Sequence, residues 1–198
     1  ARAMHRRLAK VVFMGMGEPM ANEGAVWGSV ERLHGALGLS ARHITISTVG
    51  LIPGIRTLTQ RPLPVNLAVS LHAANDELRD ELVPINKRYP IDDLMRACDD
   101  YLEAKGRRLS FEWAMIDGVN DRERDAAELA TLCRRLRLAA HVNLIPLNPT
   151  SGYAGTPTHS AAARHFQHIL AHEFKLPSTV RQRRGIDIAA GCGQLAIL

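Results

Sequence analysis

The stretch KVVFMGMGEP, residues 10–19, is an apolar run that ends in a turn with two glycines and a carboxylate. Short apolar runs rich in β-branched residues are typical of buried strands, and similar runs recur along the chain with helical segments between them. This alternation predicts parallel βα units and therefore an α/β fold. We predict six strands, at residues 10–16, 43–47, 65–71, 108–116, 141–146 and 178–183.

Helices between these strands are predicted from the spacing of apolar residues. A first helix carries Val26, Val30, Leu33 and Leu37 at a spacing that puts them on one face. The same rule predicts helices through residues 91–102, 129–136 and 160–174. It also places Cys98 and Cys133 on stripes that face the core.

The charge balance gives a net charge of +5, from 25 Lys and Arg against 20 Asp and Glu. This excess is compatible with a polyanionic partner but does not select RNA over any other. Arginines cluster at residues 6–7, 107–108, 134–137 and 181–184. We interpret the third cluster as a solvated helix face, and the first and last as better candidates for phosphate contact.

The three cysteines, Cys98, Cys133 and Cys192, are far apart and odd in number. This pattern argues against a disulfide framework and against a zinc site, so we expect no metal ligands and a reducing cytoplasm. No apolar run has the roughly 18 to 20 residues of a membrane helix, and we expect a soluble protein. The chain opens at Ala1 and runs quickly into a strand, which reads as entry in the middle of a single domain.

Unusual polar or glycine-rich clusters follow the predicted strand ends. In barrel-like α/β folds ligands bind at this rim, because rigid strand ends hold loops that are free to vary. We therefore predict one shared site built from residues 15–19, 47–50, 70–72, 117–120 and 148–149.

Each candidate residue at this rim has a structural alternative. Gly17 and Glu18 would let a ligand approach the backbone and offer a carboxylate, or they form an ordinary tight turn. Ser47 and Ser70 would bind a ligand through their hydroxyls, or they stabilise turns. His72, which follows Ser70 and Leu71, would donate to a ligand or stack on it, or it is a satisfied structural group. Asn148 would offer a donor and an acceptor to an adenine edge, or it initiates a turn.

Cys192 differs from the other two cysteines because Gly191 and Gly193 flank it and no helical stripe includes it. Nearby arginines, including Arg181, would favour the reactive thiolate if they fold close to the sulfur. The alternative is a small buried residue in a C-terminal turn.

Five ordered motifs resemble the RlmN/Cfr family of radical-adenosylmethionine RNA methyltransferases. They are VVFMGMGEP (11–19), ISTVG (46–50), SLHA (70–73), NLIPLNP (143–149) and GCGQL (191–195). The resemblance implies a partial (β/α)6 radical-SAM barrel that lacks its first strand and its N-terminal domain. Residues 1–198 would then be the C-terminal part of the methyltransferase catalytic domain.

The resemblance also implies a function: methylation of carbon 2 of an adenine in 23S ribosomal RNA, with transfer RNA as a further substrate. Family members use S-adenosylmethionine, a [4Fe-4S] cluster and an external electron donor, and a 5′-deoxyadenosyl radical acts on a methylated cysteine. That cysteine matches Cys192 here. By motif match the adenosylmethionine contacts are Gly17, Glu18, Ser47, Ser70, Leu71, His72 and Asn148.

One departure from the family pattern is serious. The family's cluster is held by a Cys-x3-Cys-x2-Cys loop, and this sequence contains none. We therefore expect the chain as given to be inactive in the radical step. The alternatives are a cluster-less remnant that only binds adenosylmethionine or RNA, and a methyltransferase specific for carbon 8. An unrelated aldolase-like barrel would need a Lys at a strand end, and no predicted strand supplies one.

Overall fold

A single six-stranded parallel sheet organises the chain. The computed structural model describes residues 8–14, 17–147 and 155–182. The strands lie in the order β1 to β6, each parallel to the next, as the alternating sequence predicts. They are β1 (Val11–Phe13), β2 (Ile44–Thr48), β3 (Asn66–Ser70), β4 (Leu109–Met115), β5 (His141–Pro146) and β6 (Ser178–Val180).

The helices cover one face of this sheet. They are α1 (Glu23–Gly35), α2 (Ile52–Gln60), α3 (Asp76–Leu82), α4 (Ile91–Lys105), α5 (Glu123–Cys133) and α6 (Ser160–His168). Short helical turns precede or follow several of them, at Pro19–Asn22, Ala41–His43, Pro84–Lys87 and Ile169–Glu173. Among the described residues the sheet is open, since β1 and β6 each pair with one neighbour only.

The predicted helical faces are largely confirmed. In α4 the residues Leu94, Cys98 and Leu102 are buried, and in α5 the same holds for Leu129 and Cys133. The prediction for Leu37 is wrong: α1 ends at Gly35 and this side chain is 66% exposed, so Trp27 and Val30 make the buried contact instead.

Two helices had no sequence signal strong enough to predict them. Helix α2 starts at a proline turn and contains Gly54, Thr57 and Thr59, all weak helix formers. Helix α3 has seven residues, five of them charged, too few to show an apolar period. Helix α2 packs against α4, and α3 packs against the turn Pro84–Lys87 and bonds to the strand ends through Arg79.

The two faces of the sheet differ in chemistry. Along β5 the buried residues Val142 and Leu144 alternate with His141 and Asn143, which face the other way. On this concave, polar face, the strand register aligns residues of neighbouring strands into layers. One layer runs through Ser47, Ala68, Ser110 and His141, and the next through Ser70, Glu112, Asn143 and Thr179.

Helices of the described part of the chain are too short or too polar to span a membrane.

Candidate functional site

The carboxyl edge of the sheet brings together Ser47 and Ser70, at the ends of β2 and β3, with Gly17 and Glu18 after β1 and residues 71–72 after β3. In a parallel sheet these strand ends share one edge, so the described residues of the predicted rim lie along the same side. Asn148 and Cys192 lie outside the described residues.

Glu18 links two of these loops. Its Oε1 accepts a hydrogen bond from the Met20 N–H at 2.9 Å, and its Oε2 accepts one from the Val49 N–H at 2.8 Å. The carboxylate therefore ties the loop after β1 to the loop after β2, and it keeps a second lone pair on each oxygen for a ligand. Gly17 precedes it with a φ of +104°, a conformation that glycine adopts without strain.

Ser47 and Ser70 project from the concave face of the sheet. Their hydroxyls make no hydrogen bond to any described residue, whereas the neighbouring Thr48 hydroxyl accepts from the N–H groups of Gly50 (3.1 Å) and Leu51 (3.3 Å). Thr48 therefore stabilises the turn at the end of β2. The two serine hydroxyls remain available to a ligand.

His72 has a left-handed backbone, with a φ of +61°. Its Nδ1 accepts the Ala114 N–H at 2.9 Å, and its carbonyl accepts from Asn120 Nδ2 at 2.8 Å. Burial and, to a smaller extent, the positive charge of Arg79 lower the pKa of the imidazole to about 4. The ring is therefore neutral near pH 7, and because Nδ1 accepts, the proton is on Nε2, which is a fixed donor.

Leu71 is fully buried in the core. Its N–H donates to the Glu112 carbonyl at 3.0 Å, and its own carbonyl accepts from Arg79 Nε at 3.1 Å. Both backbone groups thus hold the end of β3 in place.

Arg79 is a functional candidate that sequence reasoning missed. Its side chain is fully buried and donates to the carbonyls of Val49 (2.8 Å), Ser70 (3.1 Å) and Leu71 (3.1 Å) and to Asn86 Oδ1 (2.8 Å). Burial lowers the pKa of the guanidinium to about 10, which leaves it charged at neutral pH. This one cation braces the ends of β2 and β3.

Asn120 does similar work between β3 and β4. The amide is fully buried, accepts the Ile116 N–H at 2.8 Å and donates to the carbonyls of His72 and Ala114 at 2.8 Å each. The sequence singled out the 117–120 cluster as part of the rim. In the structure, Asn120 holds the loop that carries His72 in place through its hydrogen bond to the His72 carbonyl.

The described residues contain no group of three or more potential metal ligands. Burial raises the pKa of the Cys98 and Cys133 thiols to about 12, in keeping with their places on core-facing helix stripes.

Comparison with known proteins defines the class to which this fold and rim belong. The model of the radical SAM superfamily matches residues 1–130. The chain therefore belongs to the radical SAM superfamily. Members use S-adenosylmethionine and a [4Fe-4S] cluster, and the cluster ligands are not in this chain.

Individual relatives narrow the comparison. The chain is 57% identical over 96% of its length to a probable dual-specificity RNA methyltransferase RlmN 2 of Opitutus terrae, covering 45% of that protein. It is 52% identical over 98% of its length to the dual-specificity RNA methyltransferase RlmN 1 of Myxococcus xanthus, covering 54% of it. The chain thus spans about half the length of these relatives.

Solved structures agree with this comparison. A radical SAM methyltransferase from Sphaerobacter thermophilus superposes with a TM-score of 0.91 at 48% identity, over 98% of this chain and 57% of that one. A domain of a pyruvate-formate lyase-activating enzyme from Bacteroides vulgatus has a TM-score of 0.68 at 17% identity, over 88% of this chain and all of that one. The second likeness shows a shared fold only.

Proposed function

We propose that residues 1–198 form the C-terminal part of the catalytic domain of a cytoplasmic RNA methyltransferase. Its product would be adenine methylated at carbon 2 in 23S ribosomal RNA, with transfer RNA as a further substrate. The observation that carries this proposal is the 57% identity, over nearly the whole chain, to a relative named as a dual-specificity RNA methyltransferase.

The rim residues would hold S-adenosylmethionine. Its contacts would be Gly17, Glu18, Ser47, Ser70, Leu71, His72 and Asn148. Two observations fit this role: the hydroxyls of the two serines, which bond to no described residue, and a His72 Nε2–H that can donate to a carboxylate or to a ring nitrogen. Adenosylmethionine supplies the methyl group when it is bound.

Cys192 would carry that methyl group. Bound S-adenosylmethionine would supply the methyl group from its sulfonium, and the Cys192 thiolate would accept it as an S–CH₃ bond, with S-adenosylhomocysteine as the other product. Of the three thiols, those of Cys98 and Cys133 are excluded from this role because they are buried in the core.

The [4Fe-4S] cluster does not fit the cysteines of this chain. Cys98, Cys133 and Cys192 lack the Cys-x3-Cys-x2-Cys spacing, and two of them are core residues. We therefore expect the 198-residue chain by itself not to carry out the radical step, which also needs an external electron donor.

The test is mass analysis of ribosomal and transfer RNA from cells that lack the full-length gene and cells that carry it. We expect 2-methyladenosine only with the gene, and its loss in the Cys192→Ala variant. The control is Arg56→Gln, an exposed change on α2 that should leave methylation intact. Unchanged methyladenosine content would contradict the assignment, and 8-methyladenosine would move it to carbon 8.

A second candidate, which requires that the whole protein also lacks a cluster loop, is a protein that only binds adenosylmethionine or RNA. Calorimetry of the chain with adenosylmethionine separates the two when it is read together with the RNA analysis. Binding without any change in RNA methylation would support the binding protein.

A further inference from the structure

A cavity of about 370 Å³ opens on the concave face of the sheet, toward the amino ends of the strands. The rim residues Gly17, Glu18, Ser47, Ser70 and His72 do not line it. Its volume lies within the roughly 300–1,000 Å³ of typical small-molecule sites. The cavity therefore extends from the layer of Glu112, whose register partner is Ser70, toward the amino ends of the strands, away from the residues proposed for adenosylmethionine.

One end of this cavity is strongly cationic. Residues at the amino ends of β1, β2 and β4 converge there: Lys10, Arg42, His43, Arg107 and Arg108. None of these side chains forms an ion pair with a described carboxylate, whereas Arg61, Arg122, Arg135 and Arg137 elsewhere are all paired. Like charges gathered around a cleft focus its field and attract an anion.

The other end is set by Glu112, which is 4% exposed. Its Oε1 accepts from Asn143 Nδ2 at 2.7 Å, and Asn143 Oδ1 in turn accepts from the Thr179 hydroxyl at 3.0 Å. Its Oε2 is buried and has no hydrogen-bond partner among the residues that the structure describes. A buried carboxylate oxygen without a donor is costly, so this atom calls for a donor group.

A second orphaned atom marks the cationic end. Arg107 Nε is buried and has no hydrogen-bond acceptor. The cavity thus holds an unsatisfied donor near one end and an unsatisfied acceptor near the other. From Arg108 to Glu112 the strand rises by about 13 Å, which exceeds the reach of a lone phosphate ion.

We propose that this cavity binds a nucleoside monophosphate. The phosphate lies among Arg42, Arg107 and Arg108, where charge-assisted hydrogen bonds to its oxygens are strong. A sugar hydroxyl or a base amine donates to Glu112 Oε2. Adenosylmethionine does not meet these requirements, because it carries no phosphate. The proposal does not depend on the methyltransferase function.

The test is calorimetry of the 198-residue chain with adenosine 5′-monophosphate, adenosine and inorganic phosphate. We expect the monophosphate to bind more tightly than either part alone. Arg108→Gln should weaken the monophosphate and phosphate about tenfold, while Arg56→Gln, an equal change of charge on the far side of the sheet, should alter them less than about twofold.

Glu112→Gln separates the donor contact from general charge effects. The glutamine keeps the oxygen that accepts from Asn143 but replaces the orphaned oxygen by an NH₂ group. We expect about tenfold weaker binding of the monophosphate and of adenosine, with phosphate binding unchanged or tighter because a negative charge is gone. Thermal unfolding of each variant verifies that it is folded.

Three results would overturn the proposal. They are no binding of the monophosphate, equal effects of Arg108→Gln and Arg56→Gln, and tighter binding of the monophosphate to Glu112→Gln. Stronger binding of a short oligoadenylate than of the monophosphate would also overturn it, in favour of an RNA strand.

Discussion

His72 shows at the scale of one residue how the fold selects a protonation state. The sequence offered two interpretations of it, a ligand contact or a satisfied structural group. The structure combines them, because Nδ1 is satisfied by the Ala114 N–H and Nε2 is left as a donor. No local pattern reveals this bond, since its partners are 42 positions apart.

Acid stability should report the state of His72. Its pKa in the folded chain is lowered to about 4, while the unfolded value is near 6.5. Between these values the unfolded chain binds more protons here, so the free energy of unfolding rises with pH across this window and falls on acidification. We expect His72→Asn, which tolerates the left-handed backbone, to remove about 2 kcal/mol of that change.

Urea denaturation at several pH values between 4 and 7 measures this effect. The slope should flatten in His72→Asn relative to the unmodified chain. An identical slope in both would contradict the assigned neutral imidazole.

The reactivity of each cysteine thiol also depends on where the fold places it. Burial raises the pKa of Cys98 and Cys133 to about 12, so neither forms a thiolate near neutral pH. We expect a maleimide at pH 7 to leave both of these thiols unlabelled in the native chain, so that native Cys192→Ala is not labelled at all. Denaturant should expose both thiols. Labelling of native Cys192→Ala would contradict the buried placement.

At the scale of secondary-structure elements, Arg79 shows why the loops after β2 and β3 keep their relative position. It stands on α3, the short charged helix that apolar periodicity could not predict. In the sequence it resembles any solvated arginine, and only the packing of α3 against the strand ends makes it a buried brace.

Substitution of Arg79 should therefore be severe. We expect Arg79→Met to lower the free energy of unfolding by about 3–5 kcal/mol, because it leaves Asn86 and three carbonyls without a donor. Arg79→Lys should recover little, since one ammonium cannot reach all of these acceptors. Urea denaturation measures the loss, with Arg56→Met as the exposed control. A loss below about 1 kcal/mol in Arg79→Met would contradict the bracing role.

Helix α2 meets the turn after β1 at Gly54. A Cβ placed there would lie 2.4 Å from Met20 Cβ, too close for two side chains. We expect Gly54→Ala to destabilise the chain by about 1–3 kcal/mol. Gly28→Ala, in α1 with nothing within 4 Å of the new Cβ, should be neutral or stabilise by about 0.5–1 kcal/mol.

Thermal unfolding of the two alanine variants gives the comparison. Equal effects would show that close packing at Met20 is not what requires Gly54. A selective loss in Gly54→Ala would support the link between α2 and the loop that carries Glu18.

At the scale of the whole molecule, the parallel sheet separates two kinds of chemistry along one concave face. Neutral hydroxyls, the His72 donor and Arg181 lie toward the carboxyl edge, and the other basic residues of the cavity, which pair with no described carboxylate, lie toward the amino edge. This separation follows from the period of two along each strand, which aligns residues of six strands into layers.

Much of the fold and part of the candidate site could be predicted from the sequence. The six strands, the core stripes of α4 and α5, and the rim positions of Ser47, Ser70 and His72 all follow from local apolar periods and from motifs at strand ends. These features depend on residues close together in the chain, so a pattern of neighbours is enough to predict them.

Tertiary structure alone decided the rest. The burial of Arg79 and Asn120, the orphaned oxygen of Glu112 and the cationic cavity depend on contacts between residues about 30 or more positions apart, such as Arg79 with Val49 and Glu112 with Asn143. The local sequence around a polar residue does not show whether its side chain is solvated or buried. Only the packing of helices and strands around it determines which of its atoms find a partner and which are left for a ligand.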